Sequence, residues 1–155
     1  LGSRLMGESP IKQGMPWWKY SGNRVLTWLE NSVFDLQLSE YHTGYRAFQR
    51  RVLETVNFHL NSDGFIFDQE VITQIVEADF RIKEVSVPTR YFPEASSANF
   101  KDSVIYGVGI LWLLLRYSLH KRKLLSQRKF QSLGRRYTKI ETNASSNAKP
   151  SGPFS

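Results

Sequence analysis

The sequence contains no cysteine, and only two methionines and three histidines in 155 residues. Without a thiol, a disulfide scaffold, a cysteine-ligated zinc or iron–sulfur centre and a thiol nucleophile are all excluded. His42, His59 and His120 stand far apart with no metal-ligand spacing between them. No HExxH, glycine-rich phosphate loop or Gly-x-Ser-x-Gly occurs, and no internal repeat is visible. Acid is missing from one long stretch: Arg116 to Lys139 holds nine basic residues and no Asp or Glu.

What is present suffices for one domain. At 18.0 kDa, with 41% hydrophobic and 14% aromatic residues, the chain can build a single packed core. The formal net charge is +7, but Leu1 to Leu115 carries eleven Lys/Arg against thirteen Asp/Glu, a balance of −2. A near-neutral body therefore carries a basic tail. A nucleic-acid-binding domain spreads its basic residues over a folded face, so nucleic acid is not the expected partner. Phe130 and Tyr137 among basic residues are the feature that would suit base stacking.

The opening Leu1-Gly2-Ser3-Arg4 shows neither an initiator Met nor a leader pattern, and a piece of a longer chain is expected. Leu1 to Met15 reads as a loop, and Pro16 suits a first helical turn. A helix over Trp17 to Leu36 keeps Val25, Leu29, Val33 and Leu36 on one apolar stripe. Gly44 to Phe48 reads as a short strand. Arg50 to Phe58 reads as a helix with Val52, Leu53 and Val56 inward, and Phe65 to Ala78 as another after the turn residues 61–64. The alternation over Phe80 to Val87, closed by Pro88, is the clearest strand. Lys101 to Leu125 reads as one long helix, and the Ser/Asn/Lys/Pro/Gly composition after Gly134 predicts no fixed structure. The fold class is α/β, with three or four helices beside strands of a larger mixed sheet.

Val104 to Leu115, VIYGVGILWLLL, contains only apolar, aromatic and Gly residues. A helix apolar all round is buried or in lipid. Twelve residues rise about 18 Å, short of a hydrocarbon core of about 30 Å, and Arg116 follows at once. A simple span is not expected. Trp112, Tyr117, His120 and the Lys121-Arg122-Lys123 cluster suit the headgroup level, where anionic lipid contributes about 1 kcal/mol per basic residue. The competing reading is a core helix with a solvated charged end.

Two polar segments could carry chemistry. Leu38 to Phe48 places Glu40, His42, Thr43, Gly44 and Arg46 between a helix and a strand, a position where binding or catalysis tends to sit. Its plainer reading is a polar turn with Gly44 at a special backbone angle. Glu84 to Ser97 runs from a strand into a loop where Arg90, Ser96 and Ser97 could bind phosphate, the arginine by a bidentate fork. Its plainer reading is turn capping and a surface salt bridge.

These segments, preceded by Gly2-Ser3-Arg4 and by 15-MPW-17 to Asn23-Arg24, resemble the C-terminal half of a family-2 glycosyltransferase of the dolichyl-phosphate mannosyltransferase-like group. The resemblance covers about residues 2–123. Gly2-Ser3-Arg4 is similar to the end of the strand following the metal-binding Asp-x-Asp, and Met15 to Arg24 to the acceptor-loop region. Leu38 to Phe48 is similar to Leu-Ser-Asp-x-x-Ser/Thr-Gly-Tyr/Phe-Arg, with Glu40 in place of Asp. Val85 to Ser97 is similar to the Arg/Ser loop.

The resemblance implies the C-terminal part of a glycosyltransferase-A-type fold. On this reading residues 1–100 are its acceptor side, 101–125 a membrane-surface helix and 126–155 a basic, then disordered tail. It implies transfer of a hexose from a nucleotide sugar to a lipid phosphate, with inversion, at the cytoplasmic face of a membrane. Mg²⁺ or Mn²⁺ would be held in an N-terminal half outside this sequence. Arg4, Arg24 and Arg90 would bind diphosphate or acceptor phosphate, with Arg46 a weaker candidate. Glu40 would face the sugar or acceptor, and Glu40 or His42 would serve as base for a hydroxyl acceptor. The other function class is a truncated, non-catalytic membrane-surface or interaction module lacking the donor site.

Overall fold

Gly2 lies where three strands of chain meet closely. In the computed structural model, which describes residues 1–7, 10–88 and 99–133, β1 (Gly2–Ser3) pairs in parallel with β2 (Val85–Ser86). The Val85 N–H donates to the Leu1 carbonyl and the Val87 N–H to the Ser3 carbonyl, both at 2.9 Å, and the Leu1 amino group donates to the Lys83 carbonyl at 2.7 Å. On its other side the Gly2 N–H donates to the Tyr45 carbonyl at 2.8 Å.

A parallel pair needs a long crossover, and here it is helical. It comprises α1 (Trp17–Phe34), α2 (Arg50–Thr55), a 3₁₀ turn (Phe58–Leu60) and α3 (Phe67–Glu77). The helix α4 (Phe100–Lys121) and a 3₁₀ turn (Arg128–Phe130) follow β2. The ends of these helices follow local chemistry. Asp35 takes the left-handed conformation at φ 57° and stops α1. Asn99 caps α4, its side-chain oxygen accepting from the Asp102 N–H at 2.8 Å.

The main core joins Phe34 of α1, Tyr41, Ile72 of α3, and Ile110, Leu113, Leu114 and Tyr117 of α4. Phe130 completes it, so the chain after α4 turns back onto α3 instead of leaving as a tail. The Gln74 amide donates to the Lys129 carbonyl at 2.8 Å, and Lys129 Nζ reaches Glu70 at 2.5 Å. A smaller cluster gathers Val52, Val56, Val71 and Ile75.

Several expectations change. Pro16 precedes the first turn of α1 instead of sitting inside it. The strand expected over Phe80 to Val87 pairs only at Val85–Ser86, because its neighbour β1 is two residues long. Gly44 to Phe48 is irregular: it offers β1 one carbonyl and no ladder. Leu53 is exposed, while Val52 and Val56 are buried as expected.

On α1 three of the four stripe residues, Leu29, Val33 and Leu36, pack partly buried against the main core, whereas Val25 is 58% exposed. The fully buried residues are Asn23, Thr27, Glu30 and Phe34. Their spacing of four, three and four residues still marks one helical face. That face is mostly polar because it packs on the polar 39–43 segment. The tail after Gly134 lies outside the described residues.

The close approach at Gly2 generates a stability prediction. A Cβ there would stand 2.6 Å from Val87 Cγ2 and 2.9 Å from Tyr45 Cδ1, whereas one at Gly22 of α1 meets nothing within 4 Å. Gly2→Ala should therefore cost about 1–3 kcal/mol by forcing β1 off its neighbours. Gly22→Ala should stabilise by about 0.5–1 kcal/mol through helix propensity. Denaturant midpoints would check both. A neutral Gly2→Ala would contradict the packing at β1.

Candidate functional site

A buried carboxylate organises the 38–46 segment. Glu40 is 0% exposed. It accepts hydrogen bonds from the Arg4 backbone N–H at 2.8 Å, from Arg4 Nε at 2.9 Å and from the Asn23 amide at 2.9 Å, and it contacts a terminal guanidinium nitrogen of Arg4. The same Arg4 nitrogen donates to the His42 carbonyl at 3.0 Å. Burial alone would raise the Glu40 pKa, but the hydrogen bonds and charge of Arg4, with the Asn23 amide, outweigh it and hold the carboxyl below its ordinary value. A carboxylate so compensated is a weak proton acceptor. Its geometry ties β1, α1 and the 38–46 segment together.

Glu84, just before β2, holds the same segment from the other side. Its carboxylate accepts from the Ser39 N–H and the Ser39 hydroxyl, both at 2.8 Å, and from the Glu40 N–H at 3.1 Å. The Ser39 hydroxyl also lies 2.6 Å from that of Ser3. Asn31 of α1 adds a third hold, donating to the Leu38 carbonyl and accepting from its N–H.

His42 and Glu30 form a second buried pair. His42 Nε2 lies 3.0 Å from Glu30 Oε2, with side chains 8% and 1% exposed. The two groups meet directly, and His42 Nδ1 has no hydrogen-bond partner among the described residues. Burial raises the Glu30 pKa, and the His42 contact and the Arg46 charge only partly offset it.

The Arg46 guanidinium is held by the backbone, at the edge of a pocket it helps to line. Its Nε and two terminal nitrogens donate to the carbonyls of Thr43, Asp68 and Tyr41 at 2.8, 2.6 and 2.9 Å, and its side chain is 5% exposed. It clamps the turn onto α3. Thr43 is buried and its hydroxyl accepts from the Tyr45 N–H, a turn-stabilising contact. Gly44 is exposed, is not among the positive-φ glycines, and leaves open space where a Cβ would stand. The special backbone angle expected there is not found.

Arg24 is exposed on α1, one residue from Asn23. Arg90, Ser96 and Ser97 lie outside the described residues. Glu40, Arg4 and His42 thus come together, with Arg24 nearby in the chain. Among the described residues no three His, Asp or Glu side chains gather as a metal site.

Asn23, Glu30, Ser3 and Glu84 were not singled out as site residues from the sequence. A helix whose polar residues recur at 23, 27 and 30 was the available signal for the first two.

Beside this site α4 has two faces. Ile110, Leu113, Leu114 and Tyr117 are buried, while Val104, Ile105, Val108, Leu111, Trp112 and Leu115 form an exposed apolar stripe, Trp112 at 60%. By length and composition α4 could cross a membrane, since its 22 residues reach about 33 Å. The face packed on the core sets it apart from a free span. Lys121, Arg122, Lys123 and Arg128 are exposed, whereas Lys129 is taken by Glu70. Phe130 is buried and unavailable to stack on a base.

Comparison with known proteins adds one relationship. The chain is similar to the low-salt glycan biosynthesis hexosyltransferase Agl6 of Haloferax volcanii, with 34% identity over 102 residues, 66% of this chain and 24% of that protein. It thus spans about a quarter of that relative's length. No family model matches the chain, and no solved structure matches it. The relationship is glycosyltransferase-like.

The Glu40 network yields a prediction with a pH signature. Glu40→Ala leaves Arg4 and Asn23 without their acceptor and should cost about 2–3 kcal/mol at neutral pH. Because the folded-state pKa is lowered, the ionised carboxylate stabilises the fold above its ordinary pKa of 4.5 and stops doing so as pH falls through the folded value. Denaturation curves of both proteins should therefore converge as pH drops below about 4.5. A gap that stays constant from neutral pH into acid would contradict the charge-based account.

Proposed function

We propose that the chain is the acceptor-side part of a membrane-associated hexosyltransferase of the family-2, dolichyl-phosphate mannosyltransferase-like type, with a glycosyltransferase-A-type fold. It would serve transfer of a hexose from a nucleotide sugar to a lipid phosphate with inversion, at the cytoplasmic face of a membrane. The observation that carries this reading is the buried Arg4–Glu40–Asn23 network at the motif the family resemblance rests on. The similarity to a hexosyltransferase supports it.

The chemistry suits the residues. An acceptor phosphate is anionic at neutral pH and needs positioning more than a strong base. Arg24, exposed beside the buried Asn23, supplies a guanidinium for it, and Arg90 is the second candidate. Glu40 fixes Arg4 and the 38–46 turn instead of accepting the proton. In this role it is a positioning residue. A divalent cation for the leaving diphosphate requires ligands that the described residues do not supply.

The bare stripe of α4 supports the membrane part of the reading. Exposed apolar area of this extent, next to exposed basic residues, suits a bilayer surface with anionic lipid. It is also what favours the alternative, a non-catalytic membrane-surface module.

The transfer assay separates the two. Membranes containing the natural full-length protein should move labelled hexose from a nucleotide sugar into polyprenyl phosphate. Arg24→Ala should reduce that transfer by about tenfold or more. Labelled lipid that never appears, across nucleotide hexoses and polyprenyl phosphates, would leave only the module.

Sedimentation with vesicles tests the surface. The chain should bind anionic vesicles more than neutral ones and partly release at high salt. Joint replacement of Leu111, Trp112 and Leu115 by Ser should remove the salt-resistant part. Equal recovery in the supernatant with and without vesicles would make α4 a plain core helix.

A further inference from the structure

Trp17, Val25 and Trp28 lie on one side of α1, within about a quarter turn of each other. They stand uncovered among the described residues, Trp17 at 72% and Trp28 at 66% exposed, although the helix packs two other faces. Nothing in the α1 contacts with the 39–43 segment or the core accounts for two bare tryptophans.

The neighbour of this face is α4. The Trp18 ring meets Phe100 at 5.2 Å between centroids, Leu26 Cδ1 lies 3.8 Å from where a Cβ of Gly107 would stand, and the Phe34 ring meets Tyr117 at 5.5 Å. Contacts in that order make the two helices parallel along their length. Each turns exposed apolar residues away from the shared core, α1 with Trp17, Val25 and Trp28, α4 with Val108, Leu111 and Trp112.

We infer that α1 and α4 together form one bilayer-facing surface, both axes lying in the membrane plane, with Trp17 and Trp28 at headgroup level beside Trp112. The inference rests on the membrane part of the reading above and extends it to a second helix and to an orientation.

Charge selects the occupant. The acids within the two helices are Glu30, buried against His42, and Asp102, which lines the pocket on the flank of α4. Asp35 follows at the end of α1. Arg24, Lys101 and Lys121 are exposed. Anionic headgroups complement such a surface, whereas a second copy of the chain would bring like charges to it. Residue type agrees: all four tryptophans of the chain lie in these two helices, and tryptophan concentrates at the membrane–water interface.

Packing selects the orientation. A crossing α4 would meet lipid all round, yet Ile110, Leu113, Leu114 and Tyr117 face the polypeptide. Behind them α3 buries Gln69, Thr73 and Gln74, polar groups that hydrocarbon cannot satisfy. Lying flat keeps that layer outside the bilayer. Trp17 and Trp28 are separated by about 16 Å along α1, so an in-plane helix holds both at one depth. A helix along the membrane normal would part them by about half of the hydrocarbon thickness.

Tryptophan fluorescence of the full chain reads this directly. Three variants each retain one of Trp17, Trp28 and Trp112, with Phe at the other tryptophan positions. Each is mixed with vesicles of phosphatidylcholine and phosphatidylglycerol brominated either high on the acyl chains or at their ends. All three tryptophans should shift to the blue and be quenched more by the upper bromine. Joint Trp17→Ser and Trp28→Ser should weaken vesicle partitioning at least about tenfold with unchanged melting, and joint replacement by Phe should retain most of it.

A chain that binds vesicles with Trp112 quenched, but with Trp17 and Trp28 unquenched and the Ser pair harmless, overturns the inference and keeps α4 as the membrane contact. Trp112 quenched best from the chain ends while Trp17 stays near water overturns the in-plane orientation. A blue shift without lipid that grows with protein concentration, alongside a dimer in sedimentation, makes a second copy the occupant and overturns the bilayer. No response of any tryptophan to vesicles removes this surface and the membrane reading together.

Discussion

The sealing of one negative charge under a short strand holds the molecule together. Glu40 is buried, and a bare carboxylate there would carry a desolvation cost of several kcal/mol. Arg4, placed by β1, and Asn23, placed by α1, offset that cost. Their positions depend in turn on Gly2, since only a residue without a side chain lets β1 fit between Val87 and Tyr45. Glu84 then fixes the backbone of Ser39 and Glu40 from β2's side. Strand pairing, the polar face of α1 and the turn at residues 38–46 are thus one coupled arrangement, and such contacts are not additive.

How much of this was legible depends on the range of the signal. The helices were readable because their signals are local: apolar recurrence near a 3.6-residue period, and turn residues such as 61–64 that end one helical stretch before the next. The face of α1 was only partly legible for the opposite reason. Leu29, Val33 and Leu36 do meet the core, but hydropathy alone turns Val25 inward and Asn23, Thr27 and Glu30 outward, and only the long-range partner, the polar 39–43 segment, buries the latter three. The extent of β2 was likewise invisible, because a strand's length depends on its neighbour and β1 is two residues long.

The site residues divide in the same way. Glu40, His42 and Arg46 stood out by residue type and proximity. Their roles did not, because role depends on what each atom meets. Arg46, by charge a phosphate ligand, is consumed by three carbonyls. Glu40, a candidate base, is neutralised by Arg4. Glu84 looked like one member of an alternating strand and instead caps two backbone N–H groups. A basic residue in a tail can also be an interior partner, as the Lys129–Glu70 contact shows.

Electrostatics then connects the site to α4. Asp102 and Tyr106, in the first turns of that helix, line an open pocket of about 250 Å³ together with His42 and Arg46, while its other face carries Val108, Leu111, Trp112 and Leu115 into solvent. One rigid element therefore bears both the pocket wall and the apolar stripe, with about 1.5 Å of rise per residue between them. Seating the stripe on a bilayer would set the height of the pocket above the headgroups, and the exposed Lys121, Arg122 and Lys123 would set which end lies nearest anionic lipid. An acceptor of the proposed kind, with a polar head and a hydrocarbon chain, would need that coupling, because its two parts would be fixed relative to the membrane before it is bound.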